Sequence, residues 1–344
     1  MPGRLPRIAP LLLSLVLVSM PACRVTDLTL WKPVETSTGD GCEVECIRGL
    51  RYRDDPDTDN LRHRLDLFLP KGRRNFPVVI LVHGGAWVIG DNRGCGLYSS
   101  VGQFLASRGI GAVLPNYRLS PSVKHPEHIK DVARAFAWTH AHIGEYGGRS
   151  DQLFLVGHSA GGHLVSLLAT DERYLQAEGL ASADIRGVVA VSGVYCMPPG
   201  KLDVTLGGSE PRAFRVNELA PLRAHDASRP APPTGLPGLP LSLNLFGLPF
   251  GDDPAVRADA SPLHHVRPGL PPFLILSAEH DLPTFADMAV DFHRALLEQH
   301  CESQLVRIEG RNHNSILFSA VEPGDPVARA MVDFIRRHVG TSGK

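Results

Sequence analysis

The stretch QLFLVGHSAGG, residues 152–162, decides the fold. Residues 153–156 are an apolar run that predicts a buried strand, and residues 161–170 follow with the periodicity of a helix. Between them, Ser159 has one glycine two residues before it and another two residues after it. Such glycines relieve crowding in a sharp strand-to-helix turn, which exposes the serine hydroxyl above the sheet. A helix-capping serine is the alternative, but a cap does not need the flanking glycines.

The same alternation of apolar runs and helical stretches continues along the chain. Residues 61–69 alternate only in part, which predicts an edge-type strand. Strands covered on both faces are predicted at residues 77–82, 110–114, 152–156, 188–191 and 273–276. Residues 304–308 are strand-like as well. Helices are predicted at residues 98–107, 129–146, 161–170, 285–298 and 327–338. This order predicts the α/β class, with a central, mostly parallel sheet flanked by helices.

A serine hydroxyl at such a turn acts as a nucleophile only with a base, and the base needs an acid to orient it. Asp281 is the best candidate acid because it closely follows the predicted strand 273–276, and Glu279 is its rival. His313 is the best candidate base, just past the last predicted strand. Loops at the carboxyl ends of parallel strands gather at one edge of the sheet. The order Ser159, Asp281, His313 is the one used by hydrolases with such sheets, although a helix cap and a solvated loop histidine are the alternatives.

The motif HGGAW, residues 83–87, follows another predicted buried strand. Glycines let backbone N–H groups approach a substrate oxygen closely. Gly84 and Gly85, together with the N–H of Ala160, can therefore form an oxyanion hole. A plain glycine turn is the alternative. Trp87 is either a core residue or a wall of the acyl pocket.

Residues 198–262 are rich in proline and glycine and interrupt the alternation. A loop of that length in a compact domain is typical of a lid or binding loop. We interpret it as a lid-like insertion over one end of the sheet, in place of a regular cap domain. The candidates for the substrate pocket are Trp87, Tyr117, His158, Phe246 and Phe250.

The first 22 residues have the pattern of a secretory signal peptide: a basic start, the apolar run 8–18, and a small residue before a cut site. The run is shorter than the roughly 20 residues of a membrane span. Cys23 lies where a bacterial lipoprotein is cleaved and lipidated, but two preceding positions fit poorly, so lipidation stays open. We expect residues 23–42 to be a linker, 43–339 the catalytic domain and 340–344 a tail, in a secreted, periplasmic or other extracytoplasmic location.

The composition bears on three kinds of interaction: nucleic acid binding, disulfide pairing and metal binding. Lys and Arg total 35 against 36 for Asp and Glu, so no basic footprint indicates nucleic acid. Five cysteines follow Cys23, and an odd number cannot all pair within one chain. Cys42 and Cys46 would bridge only if their segment turned back, because four residues of strand span about 13 Å. No cysteine or histidine set has zinc spacing, so we predict no metal site.

These motifs together resemble a known group of enzymes. The set is His83-Gly84-Gly85-Ala86-Trp87, Asn116-Tyr117-Arg118-Leu119-Ser120-Pro121, Gly157-His158-Ser159-Ala160-Gly161-Gly162, Asp281 and Asn312-His313. It is similar to the esterase and lipase group that includes hormone-sensitive-lipase-like carboxylesterases, feruloyl-esterase-type hydrolases and kynurenine-formamidase-like enzymes. The resemblance implies the α/β-hydrolase fold with an eight-stranded sheet, carboxylic ester hydrolysis and no cofactor. Ala86 replaces the third glycine of the lipase-like motif, which points towards the feruloyl-esterase and formamidase-like branch.

The predicted function is hydrolysis of small acyl or aryl esters through a Ser-His-Asp triad and an acyl-enzyme. An amide-type hydrolase, such as an arylformamidase, and a non-catalytic binding protein on the same fold are the alternatives. The expected partner is a small-molecule ester, with membrane attachment only through a lipid on Cys23. The sequence leaves the natural substrate and the oligomeric state open.

Overall fold

The computed structural model describes residues 42–198, 202–206, 239–243 and 245–340, apart from residues 56 and 323. The predicted signal peptide, the lipidation site, most of the linker and much of the insertion lie outside the described residues. The strands are β1 (Val44–Arg51), β2 (Arg64–Pro70), β3 (Phe76–Val82), β4 (Gly111–Pro115), β5 (Gly148–His158), β6 (Ile185–Val191), β7 (Leu202–Leu206), β8 (Leu239–Leu243), β9 (Phe273–His280) and β10 (Ser303–Asn312).

Eight of these strands form one sheet in the order β1-β2-β4-β3-β5-β6-β9-β10. β2 runs antiparallel to β1 and β4, and every pairing from β4 to β10 is parallel. β7 and β8, within the insertion, form a separate antiparallel pair. The predicted α/β class with an eight-stranded, mostly parallel sheet is therefore confirmed.

Helices cover both faces of the sheet. They are α1 (Leu97–Ser107), α2 (Glu127–His142), α3 (Ala160–Thr170), α4 (Arg173–Gln176), α5 (Gly247–Phe250), α6 (Pro254–Asp259), α7 (Phe285–Glu298), α8 (Ser315–Phe318) and α9 (Pro326–His338). α2, α3 and α7 pack in one core and α1 and α9 in the other. β3 contributes Val78, Ile80 and Val82 to the first core and Val79 and Leu81 to the second. Continuous apolar runs arise because such strands are buried on both faces.

The prediction of an edge strand at residues 61–69 is wrong. β2 lies between β1 and β4, and β1 is the edge. Leu65 and Leu67 face one core while Phe68 faces the other. The partial alternation arises from Asp66, which is buried because its carboxylate accepts hydrogen bonds from the Arg93 guanidinium and the Gly49 N–H. A paired buried carboxylate imitates a solvent-facing position in the sequence.

Two further features concern the cysteines and the helices. Cys42 and Cys46 carry free thiols, as do Cys196 and Cys301, so the segment before β1 does not fold back into a disulfide. Among the described ranges, none of the helices combines the length and the apolar character that crossing a membrane requires.

Candidate active site

The turn between β5 and α3 holds Ser159 in a strained conformation. Its φ of 56° and ψ of −119° are rare for a residue with a side chain, and its N–H donates to the Val191 carbonyl at 2.9 Å. Such backbone strain costs of order 1–3 kcal/mol and is typical of functional sites. Gly161 tolerates no side chain, because a Cβ there would lie 2.1 Å from the Val82 carbonyl oxygen. The strand-to-helix turn predicted from the sequence is therefore tight and raises the hydroxyl above the sheet.

Three side chains from different loops form one hydrogen-bonded chain. Ser159 Oγ lies 2.9 Å from His313 Nε2, and His313 Nδ1 lies 2.7 Å from Asp281 Oδ1. Asp281 follows β9 and His313 follows β10, so all three lie at the carboxyl ends of parallel strands. The carboxylate only accepts, which places the histidine proton on Nδ1 and leaves Nε2 to accept from the serine hydroxyl.

Asp281 is held as a carboxylate by several donors. Besides His313, it accepts from the Ser192 hydroxyl and from the Leu282 N–H at 2.8 Å. Burial alone would raise the pKa of Asp281, but the hydrogen bonds from these groups outweigh burial and lower the pKa below its ordinary value. Sequence reasoning missed Ser192, although it directly follows a buried strand as Ser159 does.

The rival acid lies elsewhere. Glu279 accepts from the Gly310 N–H at 2.9 Å and pairs with Arg307 at 3.5 Å. Arg311, next to His313, is bound to the fully buried Asp325 at 2.7 Å, so it holds the loop onto α9. Both charged groups therefore stabilise the strand ends around the triad.

In the loop of residues 83–87, called the oxyanion loop below, the predicted role of Gly84 is wrong. The Gly84 N–H donates to the Tyr98 hydroxyl at 2.7 Å, so it is already engaged and does not face a substrate oxygen. A Cβ on Gly84 would lie 2.8 Å from the His158 carbonyl oxygen and 3.1 Å from Ser159 Cβ, so this glycine is needed for close approach. Gly85 and Ala160 remain as the predicted donors.

Tyr117 supports this loop from inside the core. It is fully buried, its hydroxyl donates to the His83 carbonyl at 3.1 Å, and its ring stacks on His83 at 4.3 Å. Arg118, the next residue, binds the buried carboxylate of Asp131 on α2, which also contacts His63. Tyr117, proposed from the sequence as a pocket residue, thus lies beneath the loop.

Trp87, Phe246 and Phe250 also lie in the core. The Trp87 ring centre is 4.9 Å from Phe250 and 6.1 Å from Phe246, and all three side chains are buried. Trp87 Nε1–H donates to His163 Nδ1 at 3.2 Å, and His163 Nε2–H donates to the Ala260 carbonyl at 2.7 Å. Of the two sequence interpretations of Trp87, the structure places it in the core.

His158 is buried beside the triad rather than exposed to a ligand. Its Nε2–H donates to the main-chain carbonyl of His313 at 2.7 Å, and the two imidazole rings lie 5.0 Å apart. Its neighbour Ser159 is partly exposed. His158 therefore contacts the backbone that carries the candidate base.

Asp171, Asp259 and His265 form a group whose ligand atoms lie within 4.8 Å of one another. The guanidinium of Arg173 bonds to both carboxylates, at 2.5 and 2.6 Å. This pairing makes the group an ion-pair network between α4 and α6.

The sheet order and the position of the Ser-His-Asp arrangement define the α/β-hydrolase fold. A family model described as BD-FAE matches residues 65–197, which contain both the HGGAW motif and the serine turn. A truncated carbohydrate esterase from gut microbiota has a TM-score of 0.64 at 18% identity, covering 88% of this chain and 98% of that one. Esterase B from Lactobacillus rhamnosis has a TM-score of 0.61 at 22% identity, covering 86% and 85%. These structures share the fold.

Curated relatives are closer in sequence. The probable carboxylic ester hydrolase LipM of Mycobacterium tuberculosis is 34% identical over 209 residues, 60% of this chain and 41% of the relative. Esterase LipC of the same organism is 29% identical over 296 residues, 84% of this chain and 64% of the relative. The chain spans less than two thirds of the length of either relative.

Burial lowers the pKa of several histidines in the described part of the chain, most strongly His83, His128, His158 and His163. The pKa falls to about 4 for His83 and His128 and to about 3 for His158 and His163. An unfolded histidine titrates near pH 6.5, so below that pH the unfolded chain takes up protons that the folded chain excludes. Their stabilisation is complete above about pH 6.5 and is lost as the pH falls towards 4.

We expect the free energy of unfolding to drop on mild acidification, by about 1.4 kcal/mol per histidine and pH unit inside this window. Urea unfolding at pH 7 and pH 5 measures the drop. His128→Gln keeps a donor for the Ser120 hydroxyl, which lies 3.1 Å from His128 Nε2, but removes one titrating ring. It should reduce the pH dependence by the share of that one ring. Equal stability of the wild type at both pH values would contradict this account.

Proposed function

We propose that this protein is a serine esterase that hydrolyses carboxylic esters. The observation that carries the proposal is the continuous chain Ser159 Oγ, His313 and Asp281, with spacings of 2.9 and 2.7 Å. The serine and histidine are in hydrogen-bond reach, and the histidine is oriented by the carboxylate, as nucleophilic acyl transfer requires. Relatives named as ester hydrolases and esterases support the same reaction.

In the proposed cycle, His313 takes the proton of Ser159 as Oγ attacks the ester carbonyl carbon. The resulting tetrahedral intermediate collapses, the bond to the alcohol oxygen breaks, and His313 gives its proton to that oxygen. A water molecule then attacks the acyl-enzyme with His313 as base, which releases the acid and restores Ser159. Asp281 stays ionised throughout and stabilises the imidazolium that forms twice in each cycle.

The negative charge on the carbonyl oxygen requires donors that are already in place. We assign this role to the N–H groups of Gly85 and Ala160. Ala160 begins α3, so its N–H belongs to the positive end of a helix dipole. Removing one such donor typically slows acyl transfer about 10²–10³-fold. Gly84 is not assigned as an oxyanion donor because its N–H already donates to the Tyr98 hydroxyl.

We further propose that the substrates are small acyl or aryl esters. Trp87, Phe246 and Phe250, the apolar candidates for the pocket, pack on one another in the core, so these rings do not line an open channel for a long acyl chain. Hydrolysis of p-nitrophenyl acetate, its longer acyl homologues and N-formylkynurenine on one purified sample tests this. A preference for N-formylkynurenine would indicate an amide-type hydrolase instead.

The location is also a proposal. The basic start and apolar run of residues 1–22 support export from the cytoplasm, and Cys23 supports attachment through a lipid. The mass of the mature N-terminus distinguishes the outcomes. A diacylated Cys23 would support lipid anchoring, an unmodified cleaved terminus would support a secreted or periplasmic protein, and an intact Met1 would contradict export.

Ser159→Ala should abolish ester turnover and labelling by a fluorophosphonate probe while leaving the folded state intact. The reason is that, among the residues the structure describes, the hydroxyl within hydrogen-bond distance of His313 Nε2 is that of Ser159, at 2.9 Å. Labelling by gel fluorescence, turnover of p-nitrophenyl acetate and circular dichroism measure the three properties. Undiminished labelling of the folded variant would refute the assignment of the nucleophile.

Asp281→Asn should lower kcat by about 10³–10⁴-fold, because an amide in place of the carboxylate favours the wrong histidine tautomer. Glu279→Gln is the matched control, since it removes a carboxylate two residues away that binds Gly310 and Arg307 instead. We expect that variant to keep kcat within a few-fold of the wild type. The acid would be misassigned if Glu279→Gln were the slower enzyme.

A further inference from the structure

His158 uses both of its ring nitrogens. Nε2 lies 2.7 Å from the His313 carbonyl oxygen, which can only accept, so Nε2 carries a proton. Burial lowers the pKa of His158 to about 3, so the ring is neutral at working pH. Nδ1 is therefore an unprotonated acceptor. The tautomer of this histidine follows from its partners.

Tyr98 supplies the donor for that acceptor. Its hydroxyl lies 3.4 Å from His158 Nδ1 and 2.7 Å from the Gly84 nitrogen. The Gly84 N–H can only donate, so the tyrosine oxygen accepts from it and directs its own proton to His158. Burial raises the pKa of Tyr98 to about 12, so the phenol keeps this proton. Each hydrogen bond from Gly84 through Tyr98 and His158 to the His313 carbonyl therefore has only one possible donor.

These hydrogen bonds join segments at the carboxyl ends of three different strands. Gly84 belongs to the loop after β3, His158 ends β5, and His313 follows β10. The centre of the His313 ring lies 5.0 Å from that of His158 and 5.2 Å from that of Phe285. We call the hydrogen bonds from Gly84 through Tyr98 and His158 to His313 the relay. The relay fixes both the backbone that carries the base and the loop that carries the oxyanion donor relative to the serine turn.

We propose that Tyr98 and His158 are positioning residues for acyl transfer, an inference that rests on the esterase function proposed above. They hold the His313 backbone so that Nε2 stays at hydrogen-bond distance from Ser159. They also fix Gly84, so that the following amide, Gly85, keeps one orientation. Both side chains are less than 10% exposed, Tyr98 at 8% and His158 at 4%, so they act through other groups rather than on substrate.

A positioning role predicts a loss in kcat with little change in KM. Misplacing reacting groups by about 1 Å costs up to about 10²-fold in rate. Tyr98→Phe keeps the ring and removes the oxygen from both hydrogen bonds, so kcat should fall about 10–100-fold while KM stays within about threefold. Tyr174→Phe is the matched control: Tyr174 is equally buried, at 8% exposed, and lies in α4 beside Arg173.

Two substitutions of His158 separate positioning from packing. The amide nitrogen of glutamine reaches the place of histidine Nε2, so His158→Gln can still donate to the His313 carbonyl. Asparagine is shorter and cannot. We expect His158→Gln to keep at least about 10-fold more kcat than His158→Asn at similar urea midpoints. A packing role alone would make the loss of activity follow the loss of stability.

Proton and ¹⁵N NMR of the histidine side chains gives a readout that does not need turnover. The relay predicts a neutral His158 with its proton on Nε2, and a slowly exchanging Nδ1 proton on His313. That His313 signal should weaken in Tyr98→Phe and His158→Asn and persist in His158→Gln and Tyr174→Phe. A proton on His158 Nδ1, or an unaltered His313 signal in all variants, overturns the proposal.

Different results would refute the esterase function and the positioning role of Tyr98 and His158. An unlabelled, inactive wild type would refute the esterase function, and the NMR signals would still decide the relay. An active wild type that loses activity in Ser159→Ala but keeps full kcat in Tyr98→Phe and His158→Asn would refute the relay alone. Equal losses in Tyr98→Phe and Tyr174→Phe would refute it as well.

Discussion

The site depends on the contact between the serine turn and the end of β3. A Cβ on Gly161 would lie 2.1 Å from the Val82 carbonyl oxygen, so the first turn of α3 can pack against that strand only through a glycine. Val82 immediately precedes the HGGAW loop. The close approach therefore brings the loop that carries Gly85 next to the residue that carries the nucleophile. A larger residue would separate the two halves of the site even if each loop kept its own conformation.

Two neutral histidines, His158 and His163, also join the segments around the serine turn. Each of His158 and His163 donates from Nε2 to a backbone carbonyl and accepts at Nδ1 from an aromatic side chain, Tyr98 or Trp87. A neutral imidazole offers one donor and one acceptor on a rigid ring, so it joins two segments at a fixed distance without a buried charge. Asp281, in contrast, keeps its charge because four groups donate to it.

Much of the fold followed from the sequence because strands buried on both faces are continuous apolar runs. Ser159 and Asp281 follow such strands, whereas His313 follows β10, a partly exposed strand at the edge of the sheet. Local pattern could not reveal partners that are distant in the chain. Ser192 and Tyr98 belong to no motif, and only the sheet order brings them to Asp281 and Gly84. Asp66 misled the placement of β2 because a paired carboxylate reads as an exposed position. The engagement of the Gly84 N–H depends on a side chain fourteen residues later.

The bond from His163 to the Ala260 carbonyl has a consequence for loop exchange. Ala260 ends the part of the insertion that re-enters the domain, and the same histidine holds Trp87 of the oxyanion loop. The return point is thus anchored by His163, a residue that lies outside the stretch between β7 and β8. Because closing a longer loop adds only about 0.6 kcal/mol per doubling of its length, that segment can be shortened, extended or replaced while its anchor stays fixed. Exchange of that segment would then keep the bond from His163 to Ala260 and, through the same ring, the bond to Trp87.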